Sequence, residues 1–115
     1  MKILITGGAG MLGHLLVNHF KSRHQVLYTV HRDQITIGGA EQLVWDLTQG
    51  PKPLSGIDAV IHTAAMTNVD QCQEYPEQAH QSNVMATRNV AASAPGAHII
   101  YISTDFVFDG ARGNY

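Results

Sequence analysis

The chain has 115 residues, 44% of them hydrophobic and 14% charged. That is the composition of one globular domain: too apolar for a disordered tail and too short for a second full domain. Seven Lys and Arg against nine Asp and Glu leave a formal net charge of −2, and no basic run can follow a phosphate backbone, which argues against a nucleic-acid partner.

Lys2–Thr6 is a short apolar run rich in β-branched residues that ends in glycines, the pattern of a buried parallel strand. After Gly10, the residues Leu12, Leu15, Leu16, His19 and Phe20 recur at three- and four-residue intervals, which predicts a helix with that face on a sheet. Gln25–Val30 reads as a second strand, 33–41 as a polar loop carrying Gly38 and Gly39, and 43–45 as a short third strand before Asp46. Turns at 50–53 and 55–56 lead to a fourth buried strand over 58–62. Residues 76–94 then read as one helix, opened by Pro76 and patterned by Ala79, Val84, Ala86, Val90 and Ala91. Pro95 and Gly96 stop it, 97–102 reads as a fifth, buried strand, and the remainder has no regular period. Strands alternating with helices predict an α/β fold, a Rossmann-type doubly wound parallel sheet with helices on both faces.

The G-x-x-G-x-x-G pattern at Gly7, Gly10 and Gly13 falls between the first strand and the first helix. There Gly7 allows a tight turn, Gly10 lets a pyrophosphate approach the backbone, Gly13 lets helix and strand pack closely, and the helix N-terminus offers free N–H groups. A dinucleotide cofactor is the expected ligand. The second strand ends in His31, Arg32 and Asp33, where Arg32 suits the 2′-phosphate of NADP and Asp33 the ribose of NAD; the reading leans to NADP over NAD. Asp46 reads either as an acceptor for an adenine amino group or as a strand-terminal turn residue. Ala64 and Ala65 are small enough for a cofactor to lie against the backbone, or simply pack well. Ser103, Thr104 and Asp105 either hydrogen-bond a substrate oxygen or cap a turn.

The seven histidines show neither H-x-x-x-H nor H-E-x-x-H spacing, so no metal is expected, and His62 and His98 read as packed or edge residues. Cys72, the single cysteine, reads as an ordinary thiol, and Trp45 as core. One cysteine without C-x-x-C fits a reducing cytoplasm. Glycines 7, 8, 10 and 13 interrupt the apolar N-terminus, so no export signal is expected, and no apolar run is long enough to span a membrane.

Together, the strings T-G-G-A-G-M-L-G at 6–13, D-L-T at 46–48, H-T-A-A-M-T-N-V-D at 62–70, N-V-M-A-T-R-N-V at 83–90 and I-S-T-D-F-V-F-D-G at 102–110 resemble the extended short-chain dehydrogenase/reductase superfamily. The nearest branch is the dTDP-4-dehydrorhamnose reductase family. The resemblance implies that Gly7, Gly10, Met11, Leu12 and Gly13 form a phosphate loop, that Asp46 and Leu47 contact adenine, and that Ala64, Ala65 and Met66 form the nicotinamide-side wall. It implies that Thr104 is the catalytic hydroxyl assisting a tyrosine, with hydride passing from the cofactor to the C4 ketone of a nucleotide-linked deoxysugar.

That family's Tyr-x-x-x-Lys motif falls beyond the D-G at 109–110 and is not among these 115 residues; Tyr115 has the wrong spacing for the tyrosine. The expectation is therefore a truncated, NAD(P)-binding Rossmann domain over 1–115, without a substrate domain, that binds dinucleotide without turnover. The nucleotide-sugar substrate belongs to the full-length form. The alternatives are a non-catalytic regulatory subunit, as in the methionine adenosyltransferase branch of the same family, and a free-standing dinucleotide-binding module. An uncovered sheet flank makes a homo-oligomer an expected partner state.

Overall fold

The computed structural model describes residues 1–114; Tyr115 lies outside the described residues. Five strands, β1 (Lys2–Thr6), β2 (Gln25–Val30), β3 (Glu41–Val44), β4 (Ala59–His62) and β5 (His98–Tyr101), form one sheet in the order β3-β2-β1-β4-β5. Every neighbouring pair is parallel. From β1 the chain steps outward to β2 and β3, then returns to the other side of β1 for β4 and β5. This reversal opens a crevice at the carboxyl ends of β1 and β4.

Alternation along each strand sends side chains to two separate cores. Ile3, Ile5, Val26, Tyr28, Val30 and Ile61 pack with Val17 of helix α1 (Met11–Phe20) on one face. Leu4, Leu27 and Val60 pack on the other with Trp45 and Leu47, and with Ala86 and Val90 of a helix running back along the sheet. Burial on both faces explains why β1 reads as a continuous apolar run. The doubly wound α/β fold expected from the sequence is the fold observed.

Several local expectations are corrected. Helix α1 buries Gly13 and Val17, with Leu16 and Phe20 half-buried, whereas Leu12, Leu15 and His19 are exposed. The close approach at Gly13 sets which face meets the sheet, and it rolls the leucines outward. The third strand is Glu41–Val44, not 43–45, although Trp45 N–H still reaches Val30 O at 2.9 Å. The polar 33–41 loop has its own anchor: the buried Tyr28 hydroxyl donates to Ile35 O (2.8 Å) and accepts from Ile37 N–H (3.0 Å), and Ile37 enters the core. A short helix α2 (Val69–Glu74), capped by Asn68 Oδ1 accepting from Gln71 N–H, was not anticipated.

The expected single helix over 76–94 is three pieces in line: α3 (Pro76–His80), a π-helical turn (Gln81–Met85) and α4 (Ala86–Ser93). The extra residue in that turn resets the helical phase, so Val84 and Ala91 face solvent while Ala86, Val90 and Ser93 are buried. The fifth strand is one residue shorter at each end than expected and is exposed along its length, not buried.

At the crevice, three elements are joined by a buried polar chain. His62 Nδ1 lies 2.7 Å from Thr6 Oγ1, and His62 Nε2 lies 2.9 Å from Thr87 Oγ1. The Thr87 hydroxyl donates its one proton to Asn83 O (2.7 Å), so His62 Nε2–H must donate to Thr87. His62 Nδ1 then accepts from the Thr6 hydroxyl, whose oxygen accepts in turn from the N–H groups of Thr63 (3.0 Å) and Ala64 (3.1 Å). Only a neutral imidazole satisfies this arrangement, and burial pushes the His62 pKa below its ordinary 6.5.

Two measurements follow from this packing. In urea unfolding, Leu4→Ala, at a fully buried position, costs about 2–5 kcal/mol, whereas Leu15→Ala, at a position 62% exposed, stays within about 0.5 kcal/mol. Because the folded-state pKa of His62 is depressed, the unfolded chain binds the extra proton first. Stability contributed by the neutral ring is therefore complete above 6.5 and is lost as pH falls through and below that value. The urea midpoint should drop between pH 7.5 and 5.5, and His62→Asn should be less stable at both and lose that part of the pH dependence; a midpoint independent of pH in the unaltered chain would contradict the assignment.

Candidate functional site

A cleft of about 350 Å³ opens at the carboxyl ends of the strands, over the crevice between β1 and β4. Its floor begins at the turn that follows β1. Gly7 adopts φ +74°, and a Cβ there would stand 2.9 Å from Thr63 Oγ1 and 3.1 Å from Ala64 N, so both the conformation and the space require glycine. Gly13, inside α1, lies directly beneath the Gly7 carbonyl, and any Cβ on it would collide with that oxygen. These two positions let the helix start almost on top of the strand. Gly10, the N-cap of α1, is in ordinary extended conformation, and its N–H donates to Gly7 O at 3.0 Å. The first turn of α1 has neither a capping side chain nor an acidic residue, so its unpaired N–H groups present positive potential uncompensated by the chain.

At the other end of the cleft the walls are charged. Asp46 caps the short 3-10 turn Leu47–Gln49, its Oδ1 accepting from the Thr48 hydroxyl (2.7 Å) and the Thr48 N–H (3.0 Å). The Thr48 hydroxyl foremost, with its backbone N–H and the nearby His31, holds the Asp46 carboxyl below the usual 3.8, against the opposing effect of burial. Its second oxygen lies 3.5 Å from His31 Nε2. The turn role foreseen for Asp46 is thus realised by Oδ1, while Oδ2 points toward the end of β2, where Arg32 and Asp33 complete the rim. An adjoining depression of about 770 Å³ shares His31, Arg32, Asp46 and Thr48 and extends along Pro76 to Ser82.

Of the residues singled out from sequence, Gly7, Arg32, Asp46, Leu47, Ala64 and Ala65 line the cleft. Gly13 acts from beneath it, and Gly10, Met11 and Leu12 stand in the exposed opening of α1. Met66 follows Ala65 but is turned into contact with Asn83 and Cys72. Thr104 stands beyond β5 as the exposed N-cap of the 3-10 turn Asp105–Val107, accepting from Phe106 N–H at 3.2 Å, and does not line the cleft. The turn-capping alternative is therefore the geometry Thr104 shows here. Cys72 is a half-buried thiol donating to Met66 O at 3.3 Å.

Sequence reasoning missed two parts of the site and the role of one glycine beside it. His31 pairs with Asp46 across two strands, a contact that depends on the β2–β3 register. Ser82 and Ala86 line the wall from the helix opposite, placed there by the π-helical turn. That glycine is Gly8. A Cβ on it would press into the Tyr28 ring, so this glycine fits the loop anchor and not a ligand.

The chain is similar to proteins of two kinds, reductases and a methionine adenosyltransferase subunit. It is 32% identical to the dTDP-4-dehydrorhamnose reductase of Mycolicibacterium smegmatis over 93% of its own length and 31% of that protein. It is 36% identical to the methionine adenosyltransferase 2 subunit beta of Xenopus laevis, covering 99% of this chain and 35% of that one. Among solved structures, a hypothetical dTDP-4-dehydrorhamnose reductase from Sulfolobus tokodaii superposes with a TM-score of 0.79 at 37% identity, over 100% of this chain and 43% of that one. MoeE5 in complex with UDP-glucuronic acid and NAD superposes with a TM-score of 0.81 at 25% identity, over 98% and 40%. The chain thus spans less than half the length of these proteins. The RmlD substrate binding domain family model matches residues 1–115, and the chain belongs to that family.

Proposed function

We propose that the chain is the NAD(P)-binding part of a reductase acting on the C4 ketone of a nucleotide-linked deoxysugar. The observation that carries this reading is the position of the cleft. It lies at the point where the strand order reverses, with the glycine turn of β1 on one side and the small residues Ala64 and Ala65 of the β4 edge on the other. A dinucleotide fits this site in three respects. Its pyrophosphate meets the uncapped start of α1 over Gly7 and Gly10, its adenine and ribose meet Asp46, Leu47 and Arg32, and its nicotinamide half lies along 64–66. The solved relative that carries NAD and a UDP-sugar supports both the cofactor and the substrate class.

The bound cofactor would supply hydride. The residues of this chain would hold and orient it, with Asp46 ionised at neutral pH and Arg32 favouring the 2′-phosphate of NADP. Thr104 would become the hydroxyl assisting a tyrosine of a Tyr-x-x-x-Lys motif outside 1–115, which makes catalysis a property of the longer protein and binding a property of this domain. A cytoplasmic setting belongs to the same reading. A second reading, a non-catalytic regulatory subunit, is favoured by the 36% identity to a methionine adenosyltransferase subunit, which equals the likeness to reductases within a few per cent.

Fluorescence titration with NADPH and NADH tests the cofactor assignment. The chain should bind both, NADPH more tightly, and Arg32→Ala should weaken NADPH about tenfold while leaving NADH unchanged, since the residue is exposed at the rim. Binding of neither dinucleotide would overturn the proposal; equal loss of both in the variant would put Arg32 on a group the two share and remove it as the determinant of NADP, and tighter NADH binding by the unaltered chain would move the preference to NAD. Turnover of a 4-keto sugar nucleotide by residues 1–115 alone would contradict the assignment of catalysis to the longer protein. Ile99, Ile100 and Tyr101 of β5, with Ile102 directly after it, are each more than a third exposed, so self-association through this flank should appear in sedimentation as a mass that rises with concentration, and a concentration-independent monomer would exclude it.

A further inference from the structure

His62, at the carboxyl end of β4, is 2% exposed and does not line the cleft, yet it is bonded to the hydroxyl that holds residues that do. Thr6 Oγ1 has two lone pairs, and the N–H groups of Thr63 and Ala64 take both, at 3.0 and 3.1 Å. Its single proton goes to His62 Nδ1, 2.7 Å away. Because Nε2 donates to Thr87, the one lone pair of the neutral ring is the acceptor that this arrangement needs. A proton added to Nδ1 would turn that acceptor into a donor aimed at Thr6 Oγ1. The oxygen would then face three donors with two lone pairs, and its own proton would lose its acceptor. The ring can take the proton only if the N–H groups of Thr63 or Ala64 are released. Ala64 lines the cleft, so a protonated ring and a closed wall are alternative states.

The surroundings of the ring hold no charge that could take over this role. β1 presents Thr6 to it, α4 presents Thr87, and β5 presents Tyr101, whose ring lies 5.8 Å away between centroids at a tilt of 35°. Of these only the Tyr101 phenol is ionisable. The other ionisable residues of those elements are Lys2 and His98, at the opposite ends of β1 and β5, and Arg88, exposed on α4. Burial alone moves the His62 equilibrium, with no charged neighbour contributing.

We propose that a proton on His62 and a dinucleotide in the cleft compete, so that the domain takes its ligand at neutral pH and releases it in acid. The two do not meet: the proton acts through Thr6 on the wall the ligand needs. The inference rests on the dinucleotide reading above and adds a means of regulation to it. Such coupling is reciprocal, so a bound dinucleotide must in turn make the ring harder to protonate. The neutral ring is the binding form. Affinity is therefore complete above the ordinary histidine value of 6.5 and falls as pH drops through the folded-state pKa, which burial holds below it.

The test is NADH affinity at pH 7.5 and 5.5, with circular dichroism fixing the folded fraction at each pH. NADH is the probe because its pyrophosphate keeps a constant charge over that range, whereas the 2′-phosphate of NADPH does not. The affinity of the unaltered chain should fall about two- to tenfold. His31→Gln removes the other imidazole of the cleft and, whatever its effect at pH 7.5, should keep that fall. His62→Asn should abolish it. An affinity independent of pH in the unaltered chain, a fall that persists in His62→Asn, or one that disappears in His31→Gln overturns the proposal. Absence of NADH binding at pH 7.5 is a different result, which overturns the dinucleotide reading itself. Should His62→Asn fail to fold, nuclear magnetic resonance of the unaltered chain decides. The titration midpoint of the His62 ring should move to lower pH when NADH saturates the cleft, and an unmoved or raised midpoint overturns the inference.

Discussion

The hydroxyl of Thr6 is where the sheet, the turn and the wall of the cleft meet. At the carboxyl end of a doubly wound sheet, neighbouring strands whose connections leave toward opposite faces must part, and their ladder ends with backbone N–H groups unpaired. Here those groups belong to Thr63 and Ala64, directly beneath the cleft. Burying such donors without partners costs about 1–3 kcal/mol each. A single side-chain oxygen accepts from both, and it can do so only because its own proton goes to His62 Nδ1. The tautomer of His62, the path of the chain after β4 and the spacing of the two cleft walls are therefore one constraint. A valine at position 6 would have the right shape and would leave three polar groups without partners.

The two ends of the cleft differ in chemistry because they are built from different parts of the sheet. The β2 and β3 edge ends in polar residues that hold one another: His31 faces Asp46, and Asp46 holds Thr48. A carboxylate fixed in this way stays ionised and turns its second oxygen toward the end of β2, which suits an amino donor, while the neighbouring Arg32 suits an anionic group. The β4 edge ends in Ala64 and Ala65, which offer backbone and little else. Between them, Gly7 and Gly13 bring the start of α1 close enough for a polyanion to bridge the two. That layout suits an elongated ligand with a charged middle and two dissimilar ends.

Steric necessity was legible in the sequence, and long-range register was not. Gly7 and Gly13 announce themselves because a tight turn and a helix pressed on a strand admit no Cβ, and β1, β2 and β4 announce themselves because burial on two faces demands apolar runs. The same logic misassigned α1. Leucines at helical spacing pointed to one face, but the close approach at Gly13 chose another, leaving Leu12 and Leu15 outside. The phase of the long helix failed for a related reason, since an inserted residue over Gln81–Met85 shifts every position after it without marking the composition. Asn83 and Thr87 passed as ordinary helix residues in the 83–90 string because their partners, Met66 and His62, lie 17 and 25 positions away. His31 and Asp46 meet only after strand order has been fixed.

The site is thus held in two ways that respond differently to change. The glycine turn is held by shape: Gly13 lies against the Gly7 carbonyl, and nothing in that contact ionises. The opposite wall is held by hydrogen bonds in which each hydroxyl and ring proton is donated once, through Thr6, His62, Thr87 and Asn83. A chain in which every proton is assigned tolerates no partial change, because moving one proton leaves its neighbour with two donors or none. The imidazole at its centre has been pushed toward its neutral form by burial, which keeps that assignment intact at and above neutrality. Below that range a proton added to His62 Nδ1 would face the Thr6 hydroxyl, and the disturbance would reach Ala64 through Thr6 and Met66 through Thr87 and Asn83. Acidity would therefore loosen the wall along 64–66 before it touched the glycine turn. Contacts to the two halves of an extended ligand would weaken unequally, with the half held by Asp46 persisting longer.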